Sequence, residues 1–364
     1  MKVAIVCDWL VGTGGAERVV LELHNLFPDA PIYTSQYDSK PEAWHGQNWF
    51  ADADVRTLWL QKLPKGLRKF LPPLRAWAFG RLNLRDYDLV ISSTGAEAKA
   101  VKTGPNTKHI SYIHSPTHYY WIRYDEYLKN PGFGRLDPLA RLGLRLFVGP
   151  LRKWDYRAAQ KPDVLVANSS HTQKMIKKFY GRDSVVVHPP VDIERFAGKN
   201  EEPRRGFVTT GRQTPYKRID LVVEAFNKLD LPLLVLGNGP AHGDLKKLAG
   251  RKVTFKKTPS DEEVAHYLQT SLAFILPNLD DFGIVAVEAL AAGTPVVAYK
   301  AGGALDYIEP KVNGLFFNEQ TTEALAGAVS DFLSLKFSHQ RIQQSAEKFS
   351  AKNFRTNFAK LLKT

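Results

Sequence analysis

The chain has 364 residues, of which 44% are apolar and 24% charged, and its formal net charge at pH 7 is +13. This length suits two domains of roughly 150 residues each, and the composition is that of an ordinary globular protein. The single cysteine, Cys7, excludes an internal disulfide and a cysteine cluster for zinc. The basic excess favours acidic partners: nucleic acid, an anionic membrane face or phosphorylated substrates.

The N-terminal apolar run in MKVAIVCDW is too short for the hydrophobic region of a signal peptide. No stretch approaches the ~18 uninterrupted apolar residues of a transmembrane helix. We therefore expect a cytoplasmic protein.

A glycine turn, GTGGAE at residues 12–17, follows the first predicted strand, Val3–Cys7, and precedes a predicted helix over Ala16–Phe27. Glycines let the backbone approach a ligand closely, and helix N-terminal amides favour an anion. The turn lacks the third glycine of the dinucleotide fingerprint, and the second strand ends at Ser35 without an acidic residue, so a nicotinamide cofactor is not expected. A phosphate-facing turn is favoured, and a plain tight turn is the alternative.

A basic segment, residues 55–85, contains no acidic residue and mixes Trp, Leu and Phe with eight cations: Arg56, Lys62, Lys65, Arg68, Lys69, Arg75, Arg81 and Arg85. This composition suits the interface of an anionic bilayer. The alternative is a helix that packs its apolar side on the domain and solvates its charges.

Short apolar runs alternate with helix-length amphipathic segments along the whole chain, which predicts an α/β fold with parallel sheets covered on both faces. The predicted strands are Val3–Cys7, Ile32–Thr34, Leu89–Ser92, Ile110–Ile113, Val164–Ala167, Val185–His188, Phe207–Gly211, Leu233–Gly237, Val253–Lys256, Ala273–Pro277 and Pro295–Tyr299. The series restarts after the polar linker Lys199–Arg205. We therefore predict two doubly wound, Rossmann-like domains, 1–198 and 199–348, facing a cleft, and a C-terminal helix within 349–364. In such sheets ligands bind beyond the carboxyl ends of the strands.

Two cations follow the first strand of the second domain, in the pattern Gly211-Arg212-x4-Lys217. Arginine grips phosphate oxygens bidentately, and lysine supplies a mobile point charge. Their place near a helix start suits a diphosphate, and a solvated basic helix start is the alternative.

Two carboxylates, Asp280 and Glu288, flank a predicted helix start at Gly283. Glu288 lies about five residues into that helix, or ~7.5 Å along its axis. One carboxylate can meet a sugar while the other reaches a ribose, with helix amides between them near the phosphates. Two unrelated surface carboxylates are the alternative.

Several segments resemble retaining glycosyltransferase family 4. DDFGIVAVEALAAGTPVVAY resembles the family signature Glu-Gly-Phe-Gly-x4-Glu followed by Ala-x-Ala-x-Gly-Thr-Pro-Val, and GRQTPYKRIDLVVEAF and VLGNGP stand at family-like spacing. LFPDAPIYTSQYD, YDLVISSTGAEAKAV, YIHSPTHYYW and VANSSHTQKMIKKFYGRDSVVVHPPVD resemble bacterial mannosyltransferases that build O-antigen and exopolysaccharide chains. The resemblance implies a GT-B fold, a C-terminal helix that crosses back to the first domain, and GDP-mannose as donor.

The resemblance also implies roles for residues of the first domain. Gly14 and Gly15 would approach the diphosphate and the reaction centre, and His114 would contact the donor sugar. His118 occupies a position where this branch often carries Arg, so the acceptor side departs from the branch pattern.

In the second domain the resemblance places Arg212 and Lys217 on the diphosphate and Glu288 on the ribose. Asp280, where the family usually has Glu, would contact sugar hydroxyls. The backbone that would surround that sugar belongs to four residues: Asp281, Phe282, Gly283 and Ile284.

No nucleophile stands out in the sequence, and family enzymes are thought to use the departing phosphate as the base. The resemblance therefore implies a retaining reaction with no metal or other cofactor. One Asp-x-Asp pair, Asp52 and Asp54, is the kind that metal-dependent transferases use, but it lies away from the donor motifs.

The expected partners are a nucleotide sugar, a lipid-linked or oligosaccharide acceptor and the inner face of the cytoplasmic membrane, but no nucleic acid. Four alternatives stay open: a transferase using a UDP- or ADP-linked sugar, a nucleotide-sugar epimerase of similar architecture, a catalytically silent sugar-binding protein, and a nucleic-acid-binding protein. The last is suggested by charge alone, because no recognised nucleic-acid motif accompanies it.

Overall fold

The structure is a computed structural model that describes residues 1–44, 46–64, 71–129, 131, 134–198 and 202–362. The chain forms two compact units, Met1–His188 and Pro189–Thr364. Each unit is a parallel sheet with helices along its connections, as the alternating apolar pattern predicts.

In the described part of the first unit, seven strands form a parallel sheet in the order β3-β2-β1-β4-β5-β6-β7. The strands are β1 Val3–Cys7, β2 Ile32–Thr34, β3 Val55–Thr57, β4 Leu89–Thr94, β5 Lys108–Ile113, β6 Val164–Ala167 and β7 Val185–Val186. The strand order reverses between β1 and β4, so the carboxyl ends of these two strands border the crevice where such sheets bind ligands.

The helices described between these strands are α1 Gly15–Leu26, α2 Pro72–Arg81, α3 Tyr124–Lys129, α4 Asp137–Ala159 and α5 Ser170–Tyr180. Shorter 3₁₀ turns lie at Pro41–Trp44, Trp59–Lys62, Ala98–Ala100 and Gly134–Leu136. Local sequence sets the ends of α5. The Ser169 hydroxyl accepts a hydrogen bond from the Thr172 amide at the start, and Gly181 ends the helix at φ +67°.

In the described part of the second unit, six parallel strands are ordered β10-β9-β8-β11-β12-β13. The strands are β8 Phe207–Thr210, β9 Leu233–Leu236, β10 Val253–Lys256, β11 Ala273–Leu276, β12 Val296–Tyr299 and β13 Gly314–Phe317. The helices are α6 Ile193–Phe196, α7 Ile219–Leu229, α8 His242–Leu248, α9 Asp261–Thr270, α10 Ile284–Ala291, α11 Thr322–Leu333, α12 His339–Ala346 and α13 Ala351–Lys360, with 3₁₀ turns at Pro215–Lys217, Gly302–Asp306 and Glu347–Phe349.

The core of the second unit lies on both faces of its sheet. Phe274 and Ile275 are neighbours on β11 and point to opposite faces, so each belongs to a different buried cluster. One cluster includes residues of α9, α10 and α12, and the other includes residues of α7, α8 and α11. This double burial explains why the strands are near-continuous apolar runs.

The boundary between the units lies ten residues before the predicted boundary at 198/199. The amide of Val191 donates to the carbonyl of Phe349 at 2.9 Å, and Phe196 is buried in the core of the second unit. These contacts assign 189–198 to the second unit. Part of the predicted linker, 199–201, lies outside the described residues. Helix α13 is grouped with the second unit, and its packing on the first domain stays a prediction.

The basic segment 55–85 is folded wherever it is described. Leu60 and Phe79 are buried, and Arg75 is buried in an ion pair with Glu97 at 2.8 Å between Nε and Oε2. Arg75 is therefore withdrawn from any membrane surface. Residues 65–70, which include three of the eight cations, lie outside the described residues.

Within the described ranges, no helix combines the length and apolar character needed to cross a bilayer.

Candidate active site

The loop after β8 carries the first two predicted donor-site cations. Arg212 is exposed, and its guanidinium has no ion-pair partner among the described residues. Lys217 ends the 3₁₀ turn Pro215–Lys217, and Arg218, at φ +51°, turns the chain into α7. Both cations therefore lie at the carboxyl edge of the sheet, before a helix, as predicted.

The ammonium of Lys217 contacts the carboxylate of Asp280. Nζ lies 2.7 Å from Oδ1 and 2.9 Å from Oδ2, and the two side chains are 22% and 18% exposed. Asn278 adds a hydrogen bond from Nδ2 to Oδ1 at 2.7 Å. Two predicted site residues that are 63 positions apart in the chain thus form an ion pair with each other.

Glycines allow the loop after β11 to pack closely before α10 begins. A side chain on Gly303 would place its Cβ 2.4 Å from the Cα of Phe282, and the Gly303 amide donates to the Asp280 carbonyl at 2.9 Å. Gly283 precedes α10 at φ +89°, a conformation that favours glycine. This packing holds the backbone of 281–283 directly before the N-terminus of α10.

The side chains along this loop and α10 differ in access. Phe282 is buried against Tyr307 and Phe349, with ring centroids 5.5 and 5.6 Å apart, so only its backbone is available to a ligand. Ile284 is the first residue of α10, and Glu288 lies four residues on and is largely buried. Asp281 is partly exposed in the loop.

Gln213 is a site residue that sequence reasoning missed. It is fully buried, donates from Nε2 to the Gly237 carbonyl at 2.7 Å, and lies 2.7 Å from His242 Nδ1 through Oε1. Burial lowers the pKa of His242, as do the charges of neighbouring lysines. Gln213 thereby ties the arginine loop to the VLGNGP loop. In the sequence, only its position next to Arg212 could have pointed to Gln213. No spacing rule predicts its hydrogen-bond partners, which lie 24 and 29 residues further along the chain.

In the first unit the glycine turn is folded around the start of α1. Gly14 is the N-cap residue and Gly15 begins the helix. A Cβ on Gly14 would lie 2.5 Å from Oε2 of Glu17, so a larger residue there would require this carboxylate to move. Burial raises the pKa of Glu17 to about 7, and the charge of Asp8 adds to the shift. An acidic group thus lies at the turn where an anion was predicted.

Asp8, directly after β1, organises the loop after β4, and sequence reasoning gave it no role. Its buried carboxylate accepts hydrogen bonds from the amides of residues 95–98 at 2.8–3.0 Å and from the Thr94 hydroxyl at 3.0 Å. The strand order places β1 beside β4, so this side chain spans the crevice. Four backbone donors on one carboxylate make the loop rigid.

His114 follows β5 and lies next to this loop. Its Nε2 is 2.8 Å from the Ser93 hydroxyl, and its carbonyl accepts a hydrogen bond from Asn168 Nδ2 at 2.8 Å. A Cβ on Gly95 would lie 3.8 Å from the His114 Cβ. The structure therefore brings His114 and the loop held by Asp8 to one edge of the sheet. His118, four residues on, is half-buried.

One member of the Asp-x-Asp pair, Asp54, is engaged in an ion pair on the surface of the first unit. Arg56 donates to Asp54 Oδ2 from Nε at 2.9 Å and from the NH2 nitrogen at 2.7 Å, on the exposed surface. Among the described residues, no group of three or more His, Cys, Asp or Glu side chains is placed to share a metal ion.

Both units match known sequence families. The profile of Glycosyltransferase Family 4 matches residues 13–195, and that of Glycosyl transferases group 1 matches residues 190–349. The first match spans just over half of the chain. The chain belongs to glycosyltransferase family 4.

Relatives and solved structures agree with this assignment. The D-inositol 3-phosphate glycosyltransferase of Mycobacterium marinum is 28% identical over 210 residues, which cover 50% of this chain and 45% of that protein. The match therefore spans less than half of the relative's length. A sucrose-phosphate synthase from Thermosynechococcus elongatus superposes with a TM-score of 0.73 at 16% identity, covering 100% of this chain and 98% of that one. The Anabaena protein HepE in complex with UDP-glucose gives 0.68 at 17% identity and full coverage of both chains. These likenesses show that the fold is GT-B.

Proposed function

We propose that the protein is a retaining glycosyltransferase that moves a sugar from a nucleotide-sugar donor without a metal ion or other cofactor. The pair of Lys217 and Asp280 is the observation that carries this proposal. The two side chains lie 2.7 Å apart, beside the N-terminus of α10. A cation there would suit a diphosphate, and a carboxylate would suit sugar hydroxyls. Family membership and the GT-B fold support the same assignment.

The donor would be bound along the carboxyl edge of the second sheet. Arg212 and Lys217 would hold the diphosphate, and amides of 281–284 would add positive potential at the helix start. Glu288 would accept hydrogen bonds from the ribose, and Asp280 would do so from the sugar. From the first unit, Gly14, Gly15 and His114 would contact the diphosphate and the sugar.

The chemistry would depend on positioning and on charge stabilisation at the leaving group. The acceptor hydroxyl attacks the anomeric carbon from the face that the nucleotide leaves. The bond from that carbon to the β-phosphate oxygen breaks, and the departing phosphate takes the hydroxyl proton. Retention follows because the new bond forms on the face of the old one. The exposed guanidinium of Arg212 and the ammonium of Lys217 are suited to the charge that develops on the phosphate.

GDP-mannose is the proposed donor, on the resemblance of the first domain to bacterial mannosyltransferases. UDP- and ADP-linked sugars are the alternatives, and the structural neighbour HepE was solved with UDP-glucose. Thermal shift with GDP-, UDP- and ADP-sugars, each with and without EDTA, tests both points. Stabilisation by UDP-sugars and not by GDP-mannose would contradict the donor, and activity abolished by EDTA would contradict metal independence.

Product analysis tests the reaction itself. Arg212→Ala is expected to lower turnover by ~10²–10³, and Glu288→Ala is expected to weaken binding of the free nucleoside diphosphate. NMR of the product should show the anomeric configuration of the donor. An inverted product would refute retention, and release of an epimerised nucleotide sugar without transfer would make the protein an epimerase.

A lipid-linked oligosaccharide is the proposed acceptor, reached at the inner face of the cytoplasmic membrane. The support is the basic segment 55–85, in which Trp59 and Trp77 are exposed. Replacement of Lys62, Lys65, Arg68 and Lys69 by Gln should weaken sedimentation with anionic liposomes, and high salt should weaken it too. Equal binding by parent and variant would remove this segment from the membrane contact.

A further inference from the structure

Helix α4 presents large apolar side chains to solvent along its first half. Leu139, Leu142, Leu146 and Phe147 keep between 53% and 66% of their surface exposed. Leu139, Leu142 and Leu146 recur at spacings of three and four residues and form one stripe along the helix, and Phe147 follows directly after Leu146. Leu136, just before the helix, is exposed as well. An exposed apolar stripe of this length indicates an interaction surface.

The second half of α4 fixes the helix in the first unit. Asp155 is fully buried, lies 2.6 Å from Lys99 Nζ and accepts a hydrogen bond from Trp121 Nε1 at 2.7 Å. Ala158 and Ala159 are buried beside it. The exposed stripe is therefore displayed by a helix whose other end is anchored in the core.

The solvent side of α4 is basic. Arg145, Lys153 and Arg157 are exposed, whereas both acidic residues of the helix are paired. One is buried against Lys99, and the other, Asp137, lies 3.9 Å from a guanidinium of the same helix. The exposed surface of α4 thus combines leucine and phenylalanine with three cations and no exposed acid of its own, while the neighbouring helix α3 carries the exposed acids Asp125 and Glu126.

We propose that α4 is a membrane-docking helix that lies in the interface of an anionic bilayer. The stripe inserts at the boundary of headgroups and acyl chains, and the flanking cations contact lipid phosphates. A second copy of this chain is a poorer occupant, because two-fold pairing of α4 would bring together the exposed cations of both helices, and α4 itself offers no exposed acid to offset them. Docking by α4 goes beyond the proposed transfer reaction and needs neither donor nor acceptor.

A single fluorescent label reports insertion of the stripe directly. Cys7, the one native cysteine, is buried, so a Leu142→Cys variant can be labelled selectively with an environment-sensitive dye. Vesicles of phosphatidylglycerol and phosphatidylcholine should shift the emission to shorter wavelength and raise its intensity. The matched control, Leu305→Cys, carries the dye at an exposed leucine of the second unit and should not respond.

Sedimentation with the same vesicles tests whether the stripe is required. Changing Leu139, Leu142 and Leu146 to Gln should lower vesicle affinity roughly tenfold or more. The matched control changes three exposed leucines of the second unit to Gln, at Leu248, Leu305 and Leu333, and should bind as the parent does. Circular dichroism and thermal unfolding show whether each variant is folded.

Four outcomes would overturn the proposal. In sedimentation, they are binding of the α4 triple variant at the level of the parent, and loss of binding only in the variant of segment 55–85. With the dye, they are an equal emission change with purely zwitterionic vesicles, and an emission change that depends on protein concentration in the absence of vesicles. The last outcome would instead assign the stripe to self-association. Turnover on a water-soluble acceptor is expected to be unchanged in the triple variant, so failure of docking is distinguishable from failure of the transferase proposal.

Discussion

Replacing one carboxylate, in Asp280→Asn, is expected to tighten binding of a free nucleoside diphosphate while it slows sugar transfer. In the structure both carboxylate oxygens contact Lys217 Nζ, at 2.7 and 2.9 Å. A diphosphate that binds Lys217 therefore competes with Asp280 for the ammonium. The amide of Asn binds an ammonium more weakly, so the lysine becomes available, whereas the proposed contact to the donor sugar loses its charge.

The size of the effect follows from the exposure of the pair. Exposed ion pairs contribute about 0–1 kcal/mol, and hydrogen bonds to charged groups contribute about 1.5–3 kcal/mol. With both side chains about four-fifths covered, we expect about 1–2 kcal/mol, or roughly 5- to 30-fold in the dissociation constant. The hydrogen bond from Asn278 to Oδ1 can persist in the variant, which should hold the side chain in place.

Isothermal titration with GDP, and with UDP and ADP in parallel, measures this difference. Lys217→Met should weaken binding, and the double variant should resemble Lys217→Met because no ammonium remains to be released. Asp230→Asn is the matched control, since it removes the carboxylate partner of Lys252, at 2.7 Å, in an exposed pair of the same unit. Asp280→Asn could instead weaken nucleoside diphosphate binding as much as Lys217→Met does. In that case the Asp280 carboxylate positions Lys217 for the phosphate and does not compete with the diphosphate for the ammonium.

Three further predictions concern two loops and the first turn of α1. Asp8→Asn should lower the free energy of unfolding by about 2–4 kcal/mol in urea titrations, because an amide cannot accept from all the amides of 95–98; a change below 1 kcal/mol would contradict this. Burial raises the pKa of Glu17 to about 7 in the folded state. The unfolded chain releases this proton at the ordinary, lower pKa of a glutamate. The free energy of unfolding therefore falls as the pH rises from that ordinary pKa through 7. Glu17→Gln should thus stabilise the protein by about 1–2 kcal/mol at pH 8 and little at pH 4, as read from thermal unfolding across that range; a pH-independent effect would contradict the shift. Gly303→Ala should cost about 1–3 kcal/mol and weaken nucleotide binding, because its Cβ would meet the Phe282 backbone; titration with GDP shows whether binding survives.

Strands buried on both faces are the part of the fold that the sequence predicts well. All eleven predicted runs form strands, with ends that differ by one or two residues in most of them. β3 and β13 were not predicted, and both are edge strands of four residues or fewer. An edge strand has one neighbour instead of two, and β3 is largely exposed, so its residues carry no apolar run to recognise.

Motif spacing predicts the candidate site only in part. It places Arg212, Lys217 and Asp280 in the loops after the correct strands and Glu288 inside the helix that follows, because a turn and the start of a helix are local features. It predicts neither the direct contact of Lys217 with Asp280 nor the burial of the Phe282 ring.

The sequence by itself therefore determined the α/β class, the two-unit organisation and the residue types at the carboxyl edges of the strands. Only the tertiary structure decided which of these residues meet. Asp8 accepts hydrogen bonds from amides 87–90 positions away. Arg75, within the basic segment, forms a buried ion pair with Glu97, which lies outside that segment. The physical reason is that periodicity and turn chemistry act over a few residues, whereas the strand order brings distant loops to one edge. A buried charge must then find its partner there, whatever the distance along the chain.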